Sequence, residues 1–256
     1  MIILDNNIVK KGTDFGYGNF TIQGKVLSIM IKSRKRYKYE SIKQLKFDID
    51  LKNAIVESAK ELNDSDVEFK TFYKSRCNSK FWTKNRDGGF SLKENTSSYD
   101  AINDIFKNSS KYGTECATAM IIVYYRALTK LMDKEVFDFL YTDIELMNWK
   151  SVDEKLCVDY YEEAIDFMPG DCIYFKNPDV NPKTPEWQGE NTIDLGDGNY
   201  FGHGIGIMSG EKIIEKLNKY RKKHSNVSAY MLDSITCQNG KYLYKLNIQV
   251  KEELGL

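Results

Sequence analysis

The sequence predicts an α+β fold in one domain, and three observations carry that reading. Apolar residues recur at helical spacing through the first half, short apolar runs bounded by glycine and proline fill the second, and no repeat or long linker divides the chain. At 256 residues a single domain spanning 1–256 is expected, with a helical and hairpin part over 1–110, a core over 111–235 and a C-terminal tail over 236–256.

Residues 1–38 mix short apolar runs, Met1 to Leu4 and Val26 to Ile31, with glycine and lysine, and predict short strands or loops. Ile42, Leu45, Ile49, Ile55, Ala59 and Leu62 then fall at helical spacing, predicting a helix over 40–63 that Asn63-Asp64-Ser65-Asp66 breaks. Val67 to Tyr73 reads as a strand. Lys80 to Thr83 and Phe90 to Lys93 read as a hairpin across the glycine-containing turn at 85–89. Ser97 or Ser98 can cap a helix reaching Lys107.

The segment Tyr112-Gly-Thr-Glu-Cys-Ala-Thr-Ala-Met-Ile-Ile-Val-Tyr-Tyr-Arg-Ala-Leu predicts a buried helix. Thr114 is the expected N-cap, Ala117, Met120, Tyr124, Leu128 and Leu131 make one apolar face, and Cys116 lies in the first turn. Two short helices follow. Pro169-Gly170 then turns into a strand from Cys172 to Lys176, and all four prolines crowd into 169–185, stiffening one irregular loop. Tyr200 to Met208 reads as a glycine-rich strand carrying His203, and beyond Ser209-Gly210 the pattern does not decide between strand and helix.

Composition narrows the function. The 37 basic and 37 acidic residues cancel, so no net field favours nucleic acid, and the lysine clusters at 32–38 and 219–224 read as solvated surface. No run approaches the roughly 18 apolar residues of a membrane span, and residues 1–11 lack the pattern of a signal peptide, so a protein kept inside the cell is expected. Five widely spaced cysteines with no Cys-x-x-Cys pair fit reduced thiols and not a zinc or disulfide framework.

Each cysteine is by default a small buried hydrophobe. Cys116 departs from that default because amide donors and the dipole at a helix start favour a thiolate, which predicts a lowered thiol pKa. Of two histidines, His224 sits in a basic exposed stretch, whereas His203 stands between glycines on an apolar strand, where it is either a satisfied core imidazole or a functional group. A cysteine at a helix start with a later strand histidine is the papain-like arrangement. Glu115, beside the cysteine, and Glu190, at the end of the proline loop, compete for the base role, and each also reads as an ordinary acid complementing a dipole or facing solvent.

Four blocks in order carry a more specific signal: Thr-Glu-Cys-Ala-Thr-Ala at 114–119, Gly-Asp-Cys-Ile-Tyr-Phe-Lys-Asn-Pro at 170–178, Trp-Gln-Gly-Glu-Asn at 187–191 and Tyr-Phe-Gly-His-Gly-Ile-Gly-Ile at 200–207. Together they resemble the spore-coat protein-glutamine γ-glutamyltransferases of endospore-forming bacteria, closely over 110–235, loosely over 40–63, and poorly over the first forty residues and from Cys237 onward. The resemblance implies a papain-like core of the NlpC type, Cys116 and Glu190 as the central dyad, Glu115 as an accessory acid and His203 in the papain-like histidine position. It also implies Phe69, Trp149 and Trp187 as aromatics of a substrate channel, with no cofactor and no metal.

The expected activity is isopeptide crosslinking through a Cys thioester. The expected partners are spore coat proteins, with no nucleic acid and no membrane, acted on by a monomer in the mother-cell cytoplasm that becomes associated with the coat. Gln188 stands where the resemblance leads us to expect an arginine, which bears on substrate preference. Two other readings compete: an NlpC-type cell-wall peptidase and a catalytically silent coat scaffold. Activity is expected to be calcium-independent, because no Asp-x-Asp-x-Asp-Gly loop occurs and the acids are scattered among lysines. Amine incorporation should survive a chelator; silencing by chelation with rescue by calcium would contradict this.

Overall fold

A computed structural model describes residues 1–10 and 12–256. Seven helices, α1 (Ile22–Lys32), α2 (Ile42–Asn63), α3 (Ser98–Lys107), α4 (Cys116–Leu131), α5 (Lys134–Leu140), α6 (Gly210–Asn218) and α7 (Gly240–Leu254), surround one principal sheet. Its six strands are all antiparallel, ordered Gly206–Ser209, Asn199–Gly202, Gly189–Asp194, Cys172–Lys176, Tyr230–Gln238 and Val158–Tyr161. The class is therefore α+β, with the Cys116 helix laid against an antiparallel sheet. Among the described residues no helix is long and apolar enough to cross a membrane.

The core forms where α2 packs along α4 and α4 rests on the Gly189–Asp194 strand. Helix α4 is buried on nearly every face: Met120, Ile121, Val123, Tyr124, Ala127 and Leu128 are all inaccessible to solvent. A helix apolar all round must sit inside, and this one carries its first residue to the sheet face. Helix α2 starts where Ser41 accepts the Gln44 amide at 3.1 Å.

Several expectations need correction. Residues 22–32, read as strand or loop, form α1, capped by Thr21 accepting from the Gly24 amide. The segment beyond Gly210 is helix α6. Helix α7 packs across α2 and α5 through Leu243 and Val250. Of the strand expected over 67–73 only Glu68–Phe69 pairs, because its parallel partner Gly113–Thr114 is two residues long, and a 3₁₀ turn over Phe72–Lys74 follows. The hairpin forms with Trp82 opposite Leu92. Beyond α4, one α-helix and the 3₁₀ turns Trp149–Ser151 and Glu154–Leu156 replace the two short helices.

The Pro-Gly-Asp turn is anchored by charge. Asp171, 2 % exposed, accepts the Met168 amide at 2.8 Å and forms an ion pair with Lys52 of α2, also buried. Burial opposes the Lys52 charge, but Asp171, with Cys237 and Asp48, together outweigh it and raise the ammonium pKa. Lys52→Met strands a buried carboxylate, and a loss of about 3–5 kcal/mol is expected. Denaturant unfolding checks this, and a variant as stable as the parent would contradict it.

Candidate active site

The site assembles where the α4 N-terminus meets the middle of the principal sheet. Cys116 is the first residue of α4, and the N-cap is Glu115, not Thr114, which is held in the short parallel pair with Phe69. The Glu115 carboxylate turns back over the helix start. Its Oε2 accepts the Ala117 amide at 2.9 Å, and its Oε1 accepts the Thr118 amide at 2.7 Å and the Thr118 hydroxyl at 2.8 Å. The Cys116 thiol also donates to Oε2, at 3.6 Å.

This arrangement overturns the expected thiol acidity. The Ala117 and Thr118 amides, which would otherwise stabilise a thiolate, are occupied by Glu115. Burial pushes the Cys116 thiol well above the ordinary cysteine range, and the nearby carboxylates of Glu190 and Glu115 push it further. Asn191 opposes them through the side-chain hydrogen bond that it gives the sulfur. The pH midpoint for alkylation of Cys116 should therefore lie above that of a free cysteine. Glu190→Gln, which removes one negative charge, should lower it; a midpoint below the free thiol's would contradict the geometry.

Glu190 sits on the Gly189–Asp194 strand opposite Phe175, only 4 % exposed. Gly202 on the neighbouring strand makes room for it, since a Cβ there would lie 2.9 Å from Glu190 Cγ. Its Oε1 has no hydrogen-bond partner among the described residues. Burial, then the charge of Glu115, raises its pKa well above the usual carboxylate range, and Lys216 partly offsets this. A carboxyl raised this way is a better proton acceptor than a solvated one.

His203 is not on a strand. It lies in the turn between Asn199–Gly202 and Gly206–Ser209, closed by Gly204 at φ +96°, whose missing Cβ would stand 2.8 Å from the Phe69 ring. Its Nε2–H donates to the Glu68 carbonyl at 3.3 Å, and burial lowers its pKa to about 4, so the ring is neutral. Among the described residues it makes no hydrogen bond to Cys116, Glu115 or Glu190. The imidazole ties the strand before the cysteine loop to the sheet and leaves the thiol to the carboxylates.

The three aromatics each have their own partner. Phe69 lies against His203, with ring centroids 6.1 Å apart. Trp187 stacks on Tyr220 at 4.0 Å, with the Lys216 ammonium 5.6 Å from its ring. Trp149 packs on Tyr124 and donates its indole N–H to Asn191 Oδ1 at 3.1 Å. Gln188, beside Trp187, is exposed.

Two residues at the centre were not singled out from sequence. Asn191 was quoted only inside its block, yet its Nδ2 donates to the Cys116 sulfur at 3.6 Å. Tyr174, its partner across the sheet, has a phenol pushed up to about 12 by burial and by the nearby Cys116 and Glu190. Both line a cavity of about 890 Å³ that Trp149, Asp153, Asp159 and Thr236 also wall, so open space reaches the neighbourhood of the sulfur.

A thiol flanked by two carboxyls at a buried helix start, with its partner Asn191 lining a cavity, is built for acyl transfer. The family model for "Protein-glutamine gamma-glutamyltransferase" matches residues 1–247. The chain belongs to that family. The match includes the first forty residues and about half of the segment beyond Cys237, where the resemblance that the four blocks carry is poor.

A protein-glutamine gamma-glutamyltransferase of Bacillus cereus (strain AH820) is 43 % identical over 238 residues, spanning 92 % of this chain and 85 % of the relative. One from Bacillus anthracis (strain CDC 684 / NRRL 3495) is equally similar, at 43 % over the same shares. The structure of "Transglutaminase from Geobacillus stearothermophilus (without C-terminal extension)" superposes with TM-score 0.76 at 46 % identity, over 80 % of this chain and 97 % of that one. Membership makes the chain an acyltransferase with a papain-like core, which excludes the silent-scaffold reading at the level of family.

Proposed function

We propose that this acyltransferase crosslinks spore coat proteins, joining glutamine to lysine side chains through a thioester on Cys116. The carrying observation is the Cys116 thiol held by Glu115 at 3.6 Å with the buried, partnerless Glu190 Oε1 close enough to raise its pKa. Cys116 passes its proton to a carboxylate and attacks the glutamine carboxamide, forming the C–S bond. The carboxyl proton leaves with the nitrogen as ammonia. A lysine amine then attacks the thioester, the C–N bond forms as C–S breaks, and a carboxylate collects the amine proton.

Glu190 is the principal base and Glu115, held by the helix cap, the accessory one. His203 holds structure through its contact to the Glu68 carbonyl and the Phe69 ring. Phe69, Trp149 and Trp187 wall the approaches and keep water from the thioester. Synthesis in the mother cell followed by association with the coat fits coat-protein substrates, on which the protein acts as a monomer over its single 1–256 domain.

Incubation with a glutamine-rich protein and a fluorescent primary amine should give covalent labelling and crosslinked multimers. The NlpC-type peptidase reading makes the opposite forecast. With a peptidoglycan stem peptide no efficient cleavage is expected, and rapid hydrolysis without transamidation would overturn the proposal.

A further inference from the structure

We propose that Asn191 supplies the hydrogen bonds that stabilise the tetrahedral oxyanion, and that Trp149 fixes the orientation in which it does so. The inference rests on acylation at Cys116. When the thiolate adds to the carboxamide carbon, the C–S bond forms and the C=O π pair moves onto oxygen. That pair returns as the C–N bond breaks and nitrogen leaves with a carboxyl proton. The intermediate oxygen therefore carries charge beside two carboxyl groups, in a place stripped of water, and needs donors.

The helix start offers fewer such donors than usual here, because the Ala117 and Thr118 amides already bond the Glu115 carboxylate. Asn191 is the donor set that faces the sulfur instead. Its side-chain Nδ2 lies 3.6 Å from Sγ. The oxyanion sits two bonds from that sulfur, within the reach of about 2.7–3.1 Å that such donors need.

The amide cannot serve in either orientation. Indole is a donor only, and Trp149 Nε1 donates to Asn191 Oδ1 at 3.1 Å. Flipping the amide would set two donors against each other and turn Oδ1 towards the thiolate. Trp149 thus points Nδ2 at the reacting atoms, and is itself steadied by Tyr124, 6.1 Å between ring centroids. Asn191 is a catalytic residue on this account and Trp149 a positioning residue.

The test uses N191A and W149F in the full chain. It measures kcat and KM for amine incorporation, alkylation of Cys116 above its titration midpoint, and affinity for a peptide bearing an aldehyde in place of the glutamine carboxamide. That aldehyde traps the thiol as a thiohemiacetal whose oxygen occupies the oxyanion position. N191A should lose about 100–1,000-fold in kcat. Its KM and thiolate alkylation should be little changed, and its aldehyde affinity should fall in step with kcat. W149F, which keeps an aromatic ring but no N–H, should lose about tenfold in kcat, the scale of one hydrogen bond.

Near-parental kcat in N191A, or alkylation falling in parallel with kcat, overturns the oxyanion role. Parental kcat in W149F overturns the orienting role and decides the matter if N191A folds poorly. Absence of any acyl-enzyme in the parent protein would instead remove the thioester reading on which the proposal stands.

Discussion

Cys116→Ala should abolish amine incorporation while the protein stays folded. The residue begins α4, where alanine keeps the helix, and the sulfur's contacts are to Glu115 and Asn191 and not to the apolar core. Losing one such atom costs about 1 kcal/mol, the scale of a removed methyl. The same change at Cys77, Cys157, Cys172 or Cys237 should leave substantial activity. All four are free thiols whose pKa burial raises, and among the described residues none donates to a side-chain carboxylate as Cys116 does to Glu115. Because Cys116 is raised as well, thiol reactivity at neutral pH does not single it out, so turnover is the readout that does. An inactive, folded variant at any other cysteine would move the nucleophile.

Glu190→Gln should lower turnover by roughly 100-fold or more, the usual scale for a general base. Glu115→Gln should cost less alone, because Glu190 remains to trade protons. The double variant should retain almost nothing. Glu115 also caps α4, and an amide nitrogen cannot accept from the Ala117 N–H, so about 1 kcal/mol of stability should go with it. Rates must therefore be compared at equal folded fraction. His203→Ala should be milder than Glu190→Gln, since its imidazole bonds a backbone carbonyl and not the thiol. A dead His203→Ala beside a near-parental Glu190→Gln would make the site an ordinary Cys-His pair.

The parts of this site legible in sequence were those fixed by neighbours along the chain. Helix α4 was clear because its apolar residues run unbroken over more than four turns, and Cys116 and Glu115 came with its start. Helix α1 was hidden because Ile22–Lys32 combines isoleucine, valine and a glycine, a composition that reads as strand until the packing against α2 is known. Helix α7 keeps apolar residues at Leu243, Leu246 and Val250, too few beyond the last matched block to stand out from a tail. At His203 the glycine-rich pattern looked like one strand, whereas the positive φ of Gly204 and Gly206 closes a turn.

Asn191 and Tyr174 were beyond reach because their roles come from sheet register. Pairing places them opposite each other, and only the packing of α4 on that strand brings them to the sulfur. The raised thiol pKa has the same origin. Sequence shows a helix start, which lowers a thiol; the fold adds burial and a second carboxylate, and these dominate.

The thioester is the centre of the account, and trapping it tests that most directly. The protein, incubated with a glutamine peptide in the absence of amine and quenched in acid, should gain the mass of the peptide less ammonia. Digestion should place the adduct on Cys116, and added lysine should discharge it as an isopeptide. Crosslinked product formed with no adduct, or with the adduct on a different residue, would contradict the account.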